Sequence, residues 1–420
     1  MSIINTIIGL GAAVMMPIIF FIVGLIFRLS IGKAFKAGML VGIGFTGVNL
    51  VINLLLTNLG PASKAMVERV GLNLTVVDLG WPTASTIGWG SPIMPVVIIG
   101  FLAINLVLLL LNMTKTVDID IFNYWIFLLV GANIYAATHH FWLSVVITWC
   151  AFVVILIVAD LTAPYVQKQY NLEGISFPHL TCIAWIPFGI ATNWIVEKTP
   201  GLKKIDLNPE KIQKRFGVFG EPLTLGFILG IAIALLAGFN LTKTLSLAVN
   251  VAAAMVLLPK MIDILIEGLV IVRDAVENQL KKWFPKRKFY IGMDTALLIG
   301  EPSVLASGLI LIPIAVLLAF ILPGNKVLPF VDLASLMFLL ALITPFAKRN
   351  MFRMVIAGTL VLVTIFYIGT SIAPAYTEAA AMSSINKPSG IAYMTNIVGG
   401  ATTWIGWLAI KIGQIISSVL

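Results

Sequence analysis

The stretch IGMDTALLIGEPS (residues 291–303) places two carboxylates, Asp294 and Glu301, inside an apolar segment that glycine and proline interrupt. A second stretch, VDLGWPTASTIGWGS (77–91), and a third at 174–199 are apolar and broken in the same way. Breaks of this kind survive at membrane depth only where protein or a watery cavity covers the free backbone groups. We therefore predict a re-entrant hairpin or broken helix at each of the three stretches.

The composition of the whole chain is that of a membrane protein. Of its 420 residues, 60% are hydrophobic and 11% charged, and the mean hydropathy is +1.04, whereas a soluble domain has roughly 25% charged residues. A span needs about 20 mostly apolar residues, and the chain offers about ten such runs. The predicted fold class is therefore an all-α polytopic membrane protein with about 11 transmembrane helices plus re-entrant hairpins. The predicted spans are 3–27, 37–57, 93–112, 122–138, 142–161, 222–240, 246–268, 304–323, 329–347, 353–371 and 393–416.

The orientation follows from the positions of Lys and Arg, because the cytoplasmic loops of membrane proteins carry an excess of both. Most of the 27 basic residues fall in segments 28–36, 198–215, 273–288 and 348–353. Placing these segments inside puts the N-terminus outside and the C-terminus inside, which requires an odd number of spans. Basic loops on one side of the membrane then explain the net charge of +9 without nucleic-acid binding.

The two halves of the chain resemble each other at an offset of about 210 residues. Gly90-Ser91-Pro92 aligns with Gly300-Glu301-Pro302, for example. The turn at 138–141 has no Lys or Arg, whereas its counterpart at 348–353 is basic, so equivalent loops lie on opposite sides. Inverted repeats with paired broken segments are typical of carriers that alternate access around a midplane site. We predict a first inverted repeat at 1–210 and a second at 211–420.

The hydroxyl groups of the first hairpin are candidates for binding a sugar or polyol. Thr83, Ser85 and Thr86 follow a proline in an otherwise apolar stretch, and each hydroxyl can both donate and accept a hydrogen bond. The alternative is that these side chains cap the hairpin helices.

The carboxylates of the second hairpin are the next candidates, because ionisable groups at membrane depth are expensive and usually functional. Asp294 and Glu301 could each accept two hydroxyl groups of a polyol. Asp294 could instead be a helix N-cap near the interface, and Glu301 could pair with Lys260.

Two polar side chains complete the predicted substrate site. His179 begins a proline-bounded apolar segment and could bind substrate or move a proton near neutral pH, or it could be an ordinary satisfied histidine. Asn133 lies in the predicted fourth span and could hold helices together or reach the substrate. His139 and His140 fall in a predicted outer turn, which favours an interfacial role.

The sequence predicts no cofactor, no metal site and no catalytic residue. Cys150 and Cys182 lack CxxC spacing, the three histidines do not cluster with other ligands, and no Walker A motif is present. No serine or cysteine nucleophile has an adjacent base.

Five segments together carry a resemblance to a known family. They are VGIGFTGVNL (41–50), WPT (81–83), GSP (90–92), GEP (300–302) and LASG (305–308). In their order, and over essentially the whole chain, they resemble the galactitol-type enzyme IIC. This is the membrane subunit of the bacterial phosphoenolpyruvate-dependent sugar phosphotransferase system, in the ascorbate–galactitol superfamily.

The resemblance implies a carbohydrate or polyol transporter of the bacterial inner membrane that works as a homodimer. Each protomer would pair a scaffold with a substrate-binding core that moves like an elevator. A phosphocysteine on a IIB subunit, charged by IIA, would phosphorylate the substrate; both are expected to be separate chains, with no phosphoryl-carrying residue in this one. The family's substrate contacts match Ser85, Thr86, His179 and the second-hairpin carboxylates, and less directly Asn133. The expected scaffold comprises about 1–76 and 211–288, and the expected core about 77–200 and 289–420.

An ion-coupled symporter of a sugar or polyol is the alternative, with Glu301 or Asp294 carrying a proton. The residues alone do not separate the two functions, because both need inverted repeats and buried carboxylates. The resemblance favours the phosphotransferase component.

Overall fold

A computed structural model describes residues 12–71, 74–118, 120–285, 287–387 and 391–420 of the chain. The first nine residues of the predicted span 3–27 lie outside this range. The described chain is predominantly helical, as predicted. Five segments are long and apolar enough to cross a membrane, and a sixth is added if the bent pair Gly80–Gly90 and Met94–Leu110 counts as one span. The five are Ile31–Arg69, Phe141–Tyr170, Leu180–Lys198, Pro302–Ile321 and Met351–Met382.

The described helices and strands are numbered here in chain order. The helices are α1 (Ala12–Ile26), α2 (Ile31–Val70), α3 (Gly80–Gly90), α4 (Met94–Leu110), α5 (Trp125–Thr138), α6 (Phe141–Tyr170), α7 (Leu180–Ile183), α8 (Ile186–Lys198), α9 (Pro209–Phe216), α10 (Pro222–Leu236), α11 (Leu241–Trp283), α12 (Pro302–Ile321), α13 (Met337–Leu340), α14 (Met351–Met382) and α15 (Trp404–Ser417). The strands are β1 (Val76–Asp78), β2 (Thr116–Asp118), β3 (Ile175–Ser176), β4 (Tyr290–Gly292), β5 (Val327–Leu328) and β6 (Tyr393–Thr395). Short 3-10 turns lie at Ile121–Tyr124, Leu202–Lys204, Gly217–Gly220, Thr295–Leu297 and Asp332–Ser335.

The two longest helices, α2 and α11, pack against each other, with α1 on α2 and α10 on α11. Small residues of α2 allow the close approach. A Cβ atom added to Gly44 would lie 2.4 Å from Leu265 Cβ, and one added to Gly47 would lie 2.4 Å from Met261 Sδ. Helices in membranes associate largely through such close van der Waals contact, which gives the glycines of the 41–50 motif a structural role.

Two small parallel sheets correct the all-α prediction. Their strand orders are β5-β1-β6 and β2-β4-β3; Val76 pairs with Val327 and Tyr393, and Ile291 pairs with Val117 and Ile175. Strands of two or three residues are too short to show an alternating pattern, so the sequence does not reveal them. The strands supply hydrogen-bond partners, inside the protein, for backbone groups at breaks in distant parts of the chain.

Two predicted spans are not continuous helices. The predicted span 329–347 contains a 3-10 turn and the four-residue α13, followed by irregular turns to residue 349, and in the predicted span 393–416 the helix begins only at Trp404. The physical reason is Asp332, whose carboxylate accepts hydrogen bonds from the backbone N–H groups of Ile397 and Val398 and so joins the two breaks. The first hairpin also breaks, because α3 and α4 meet at 90°.

Candidate substrate site

A cavity of about 290 Å³ lies between α2 and the broken segments. Four segments contribute to its wall: the two predicted hairpins, the 174–199 segment and the break after β6. The two sheets therefore bring together residues from distant parts of the chain. The lining residues are Phe45, Asn49, Ile52, Asn53, Trp81, Asn123, Trp125, His179, Thr181, Asp294, Ala296, Phe338 and Val398.

His179 and Asp294 are the ionisable residues of the cavity wall. They follow the neighbouring parallel strands β3 and β4, in which Ser176 pairs with Gly292, and this register places them side by side. The distance from His179 Nε2 to Asp294 Oδ1 is 3.8 Å, and the two residues are 6% and 8% exposed. Asp294 also accepts a hydrogen bond from the Ala296 N–H at 2.8 Å. Asp294 therefore both caps the following turn and lines the cavity.

Two further carboxylates that sequence reasoning missed, Asp118 and Asp120, lie behind His179. They share a small void of about 10 Å³ with the imidazole and with Asn123. Asp120 Oδ2 accepts a hydrogen bond from Asn123 Nδ2 at 2.9 Å. Within the described part of the chain, Asp120 Oδ1 and His179 Nδ1 are buried without a hydrogen-bond partner. The signal in the sequence was a pair of acidic residues between two apolar runs of a chain with only 18 acidic residues.

The other sheet holds two buried carboxylates that are fully bonded to the backbone. Asp78 accepts hydrogen bonds from the N–H groups of Gly80, Phe330 and Asp332, at 3.0, 3.1 and 2.8 Å. Asp332 accepts from the N–H groups of Trp81, Ile397 and Val398, at 2.8, 2.9 and 2.7 Å. Because Trp81 and Val398 line the cavity, this pair of carboxylates fixes part of the wall without itself lining it.

Comparison with known proteins identifies the family. A family model described as the sugar-specific permease component of the PTS, the phosphotransferase system, matches residues 6–390. The galactitol-specific EIIC component of the PTS of Escherichia coli K12 is 38% identical over 401 residues, which cover 95% of this chain and 88% of that protein. The galactitol-specific EIIC component of Escherichia coli O157:H7 gives the same values. This chain belongs to the family of PTS sugar-specific permease components. The resemblance found in the sequence is thereby confirmed.

As a IIC component, this permease is a multi-pass protein of the inner membrane that acts on a sugar or polyol together with IIA and IIB components. Among its described residues, no group of three His, Cys, Asp or Glu side chains is placed to hold a metal ion.

The predicted hydroxyl groups of the first hairpin do not line the cavity of this permease. Thr83, Ser85 and Thr86 all lie on α3, where the Thr86 hydroxyl donates a hydrogen bond to the Pro82 carbonyl at 3.1 Å. The residue of this hairpin that does line the cavity is Trp81. The first turn of α3 therefore contributes to the cavity wall, whereas the predicted hydroxyl groups lie further along the helix.

Asn133 and Glu301 also lie outside the cavity lining. Asn133 is fully buried on α5, and its Nδ2 donates to the Leu129 carbonyl at 2.9 Å. Glu301 caps α12 by accepting from the N–H groups of Ser303 and Val304, and it pairs with Arg349 at 2.8 Å. The cation next to Glu301 is thus Arg349 rather than the Lys260 weighed from the sequence.

Proposed function

We propose that this permease component takes up galactitol or a closely similar polyol and delivers it for phosphorylation by a separate IIB subunit. The observation that carries the proposal is the cavity that holds His179, Thr181 and Asp294 between apolar and aromatic walls. An imidazole, a hydroxyl and a carboxylate can each hydrogen-bond an alcohol group. The volume lies at the small end of the range for ligand pockets, which suits one small carbohydrate. The galactitol-specific relative supports the polyol class.

His179 and Asp294 are the substrate contacts that we propose first, since both are buried and line the cavity. Asp118 and Asp120 are proposed to support His179 from behind. Thr83, Ser85, Thr86, Asn133 and Glu301 remain proposed substrate contacts. Because they lie outside the cavity lining, they would reach the substrate only in another arrangement of the hairpins within the core.

We also propose that the chain is built from two inverted repeats. The ends of α1 and α10, at Ile26 and Leu236, differ by the same offset of about 210 residues as the starts of α2 and α11, at Ile31 and Leu241. Each sheet takes its central strand from one half and its outer strands from the other. The basic segments support eleven spans with the N-terminus outside and the C-terminus inside.

The transport movement that we propose is an elevator-like shift of the core against the scaffold within a homodimer. In this division, α2 and α11 belong to the scaffold (about 1–76 and 211–288), and the sheets and hairpins belong to the core (about 77–200 and 289–420). The position of the cavity supports it, because one wall comes from α2 and the other from core segments. A substrate at such a boundary can change sides when one body moves relative to the other.

The test is uptake of radiolabelled galactitol into cells with and without the cognate IIB subunit, followed by chromatography of the internal label. We expect label to appear as the phosphate only when IIB is present. Free galactitol that accumulates without IIB and is lost on adding a protonophore would instead establish the ion-coupled symporter.

A further inference from the structure

We propose that Asn49 and Asn53 of α2 form the second wall of the substrate site and select for hydroxyl groups that face the scaffold. This inference rests on the proposed function and deepens it, because it assigns a specific set of polyol contacts to the helix opposite His179 and Asp294. The two asparagines are four residues apart, so they lie on one face of the helix, one turn from each other.

The stripe of α2 that faces the cavity consists of Phe45, Asn49, Ile52 and Asn53. Phe45 and Ile52 are the apolar members, with exposures of 4% and 8%. The two asparagines are the only polar residues that α2 gives to the cavity lining. A carboxamide in an apolar helix that faces other helices would normally bond to a neighbouring helix.

The next asparagine on α2 shows this ordinary structural role. Asn58 Nδ2 donates to the Leu54 carbonyl at 2.7 Å, and Asn58 Oδ1 accepts from Asn250 Nδ2 of α11 at 2.8 Å. No protein hydrogen bond to the side chain of Asn49 or Asn53 occurs within the part of the chain that the structure describes. Asn58 thus joins two helices, whereas the other two side chains face the space between α2 and the broken segments.

The chemistry of the two walls is complementary. An ionised Asp294 accepts hydrogen bonds but cannot donate them. A carboxamide, in contrast, is uncharged and offers two donor hydrogens and one acceptor oxygen. A linear polyol has hydroxyl groups along its whole length, so it can bond to Asp294 and His179 on one side and to the two asparagines on the other. A sugar analogue that lacks a hydroxyl group on the α2 side would leave a carboxamide unpaired, which disfavours its binding.

The experiment compares Asn49→Leu and Asn53→Leu with the matched control Asn58→Leu in the full-length protein. Leucine has a similar size and removes only the hydrogen-bonding capacity. Galactitol binding is measured by calorimetry in nanodiscs, and thermal unfolding is recorded for each variant without ligand. We expect the Kd for galactitol to rise roughly 2- to 10-fold in the first two variants, the effect of one lost hydrogen bond, with an unchanged unfolding temperature. Asn58→Leu should show the opposite pattern, a lower unfolding temperature with the Kd of the parent protein.

Monodeoxy derivatives of galactitol give a second readout. If Asn49 or Asn53 contacts a hydroxyl group, the derivative that lacks this group should bind to the parent protein more weakly than galactitol does. On the matching leucine variant, the same derivative should bind no more weakly than galactitol.

The outcomes separate the two proposals. Leucine variants that bind galactitol with the parent's Kd would overturn this inference and leave the proposed function intact. If the parent protein binds none of galactitol, other hexitols, pentitols and hexoses, the proposed function fails and this inference fails with it.

Discussion

Replacing Asp332 with alanine is expected to cause a large loss of stability, although the side chain does not line the cavity. The carboxylate is fully buried and accepts hydrogen bonds from three backbone N–H groups, those of Trp81, Ile397 and Val398. Each buried donor left without a partner costs about 1–3 kcal/mol. The sum is about 3–9 kcal/mol, and water entering the vacated space brings the expected loss to about 3–5 kcal/mol, near the top of the range for single substitutions.

The assay is thermal unfolding of the purified protein in detergent, followed by its intrinsic tryptophan fluorescence. At roughly 2 °C per kcal/mol, Asp332→Ala should lower the unfolding temperature by about 6 °C or more. Asp332→Asn retains one acceptor oxygen and should lose roughly half as much. The control is Asp206→Ala, because Asp206 pairs with Lys211 at the surface, and such pairs contribute about 0–1 kcal/mol. If Asp332→Ala unfolds within one degree of the parent protein, the assigned hydrogen bonds do not support the sheet.

Four further predictions follow from the site and the packing. Asp294→Asn should weaken galactitol binding about tenfold in calorimetry, since hydrogen bonds to a charged group contribute about 1.5–3 kcal/mol; an unchanged Kd would remove Asp294 from the site. Asp120→Asn should leave the unfolding temperature equal or higher, because it removes a buried ionisable group with one unpartnered oxygen, and should slow uptake; a lower unfolding temperature would contradict this. Arg349→Ala should destabilise the protein by about 1–3 kcal/mol, because the Glu301 carboxylate loses its ion-pair partner. An unfolding temperature equal to that of the parent protein would refute this prediction. Gly44→Ala should cost about 1–3 kcal/mol by forcing α2 from α11, whereas the control Gly60→Ala, whose added Cβ meets nothing within 4 Å, should cost little.

The sequence was informative where a single polar residue lies among apolar neighbours. A carboxylate or an imidazole in an apolar, proline-bounded segment is unusual, and this contrast identified Asp294 and His179 without any tertiary information. The same reasoning also selected Glu301, whose partners are backbone N–H groups of α12 and Arg349. A polar residue among apolar neighbours therefore indicates a buried ionisable group, but it does not show whether that group lines a cavity or caps a helix.

Features that depend on contacts between distant segments were not visible in the sequence. The strands are two or three residues long, and the partner strand is more than a hundred residues away in all four pairs. Asp332 lay inside a predicted span because its apolar neighbours dominate the hydropathy. Its place in the interior is explained by the hydrogen bonds from the N–H groups of Trp81, Ile397 and Val398. The cavity-lining role of Asn49 was hidden for the same reason, since it is defined by what lies across the cavity.

The carboxylates of the two sheets differ in their hydrogen-bond partners. Around β1, the carboxylates of Asp78 and Asp332 are bonded to backbone N–H groups of the neighbouring breaks, so these hydrogen bonds stabilise the fold. Around β4, Asp120 and His179 each retain a buried polar atom without a protein partner in the described range, and Asp294 lines the cavity. Neutralising a carboxylate at the first sheet should therefore reduce stability, whereas neutralising one at the second should reduce binding.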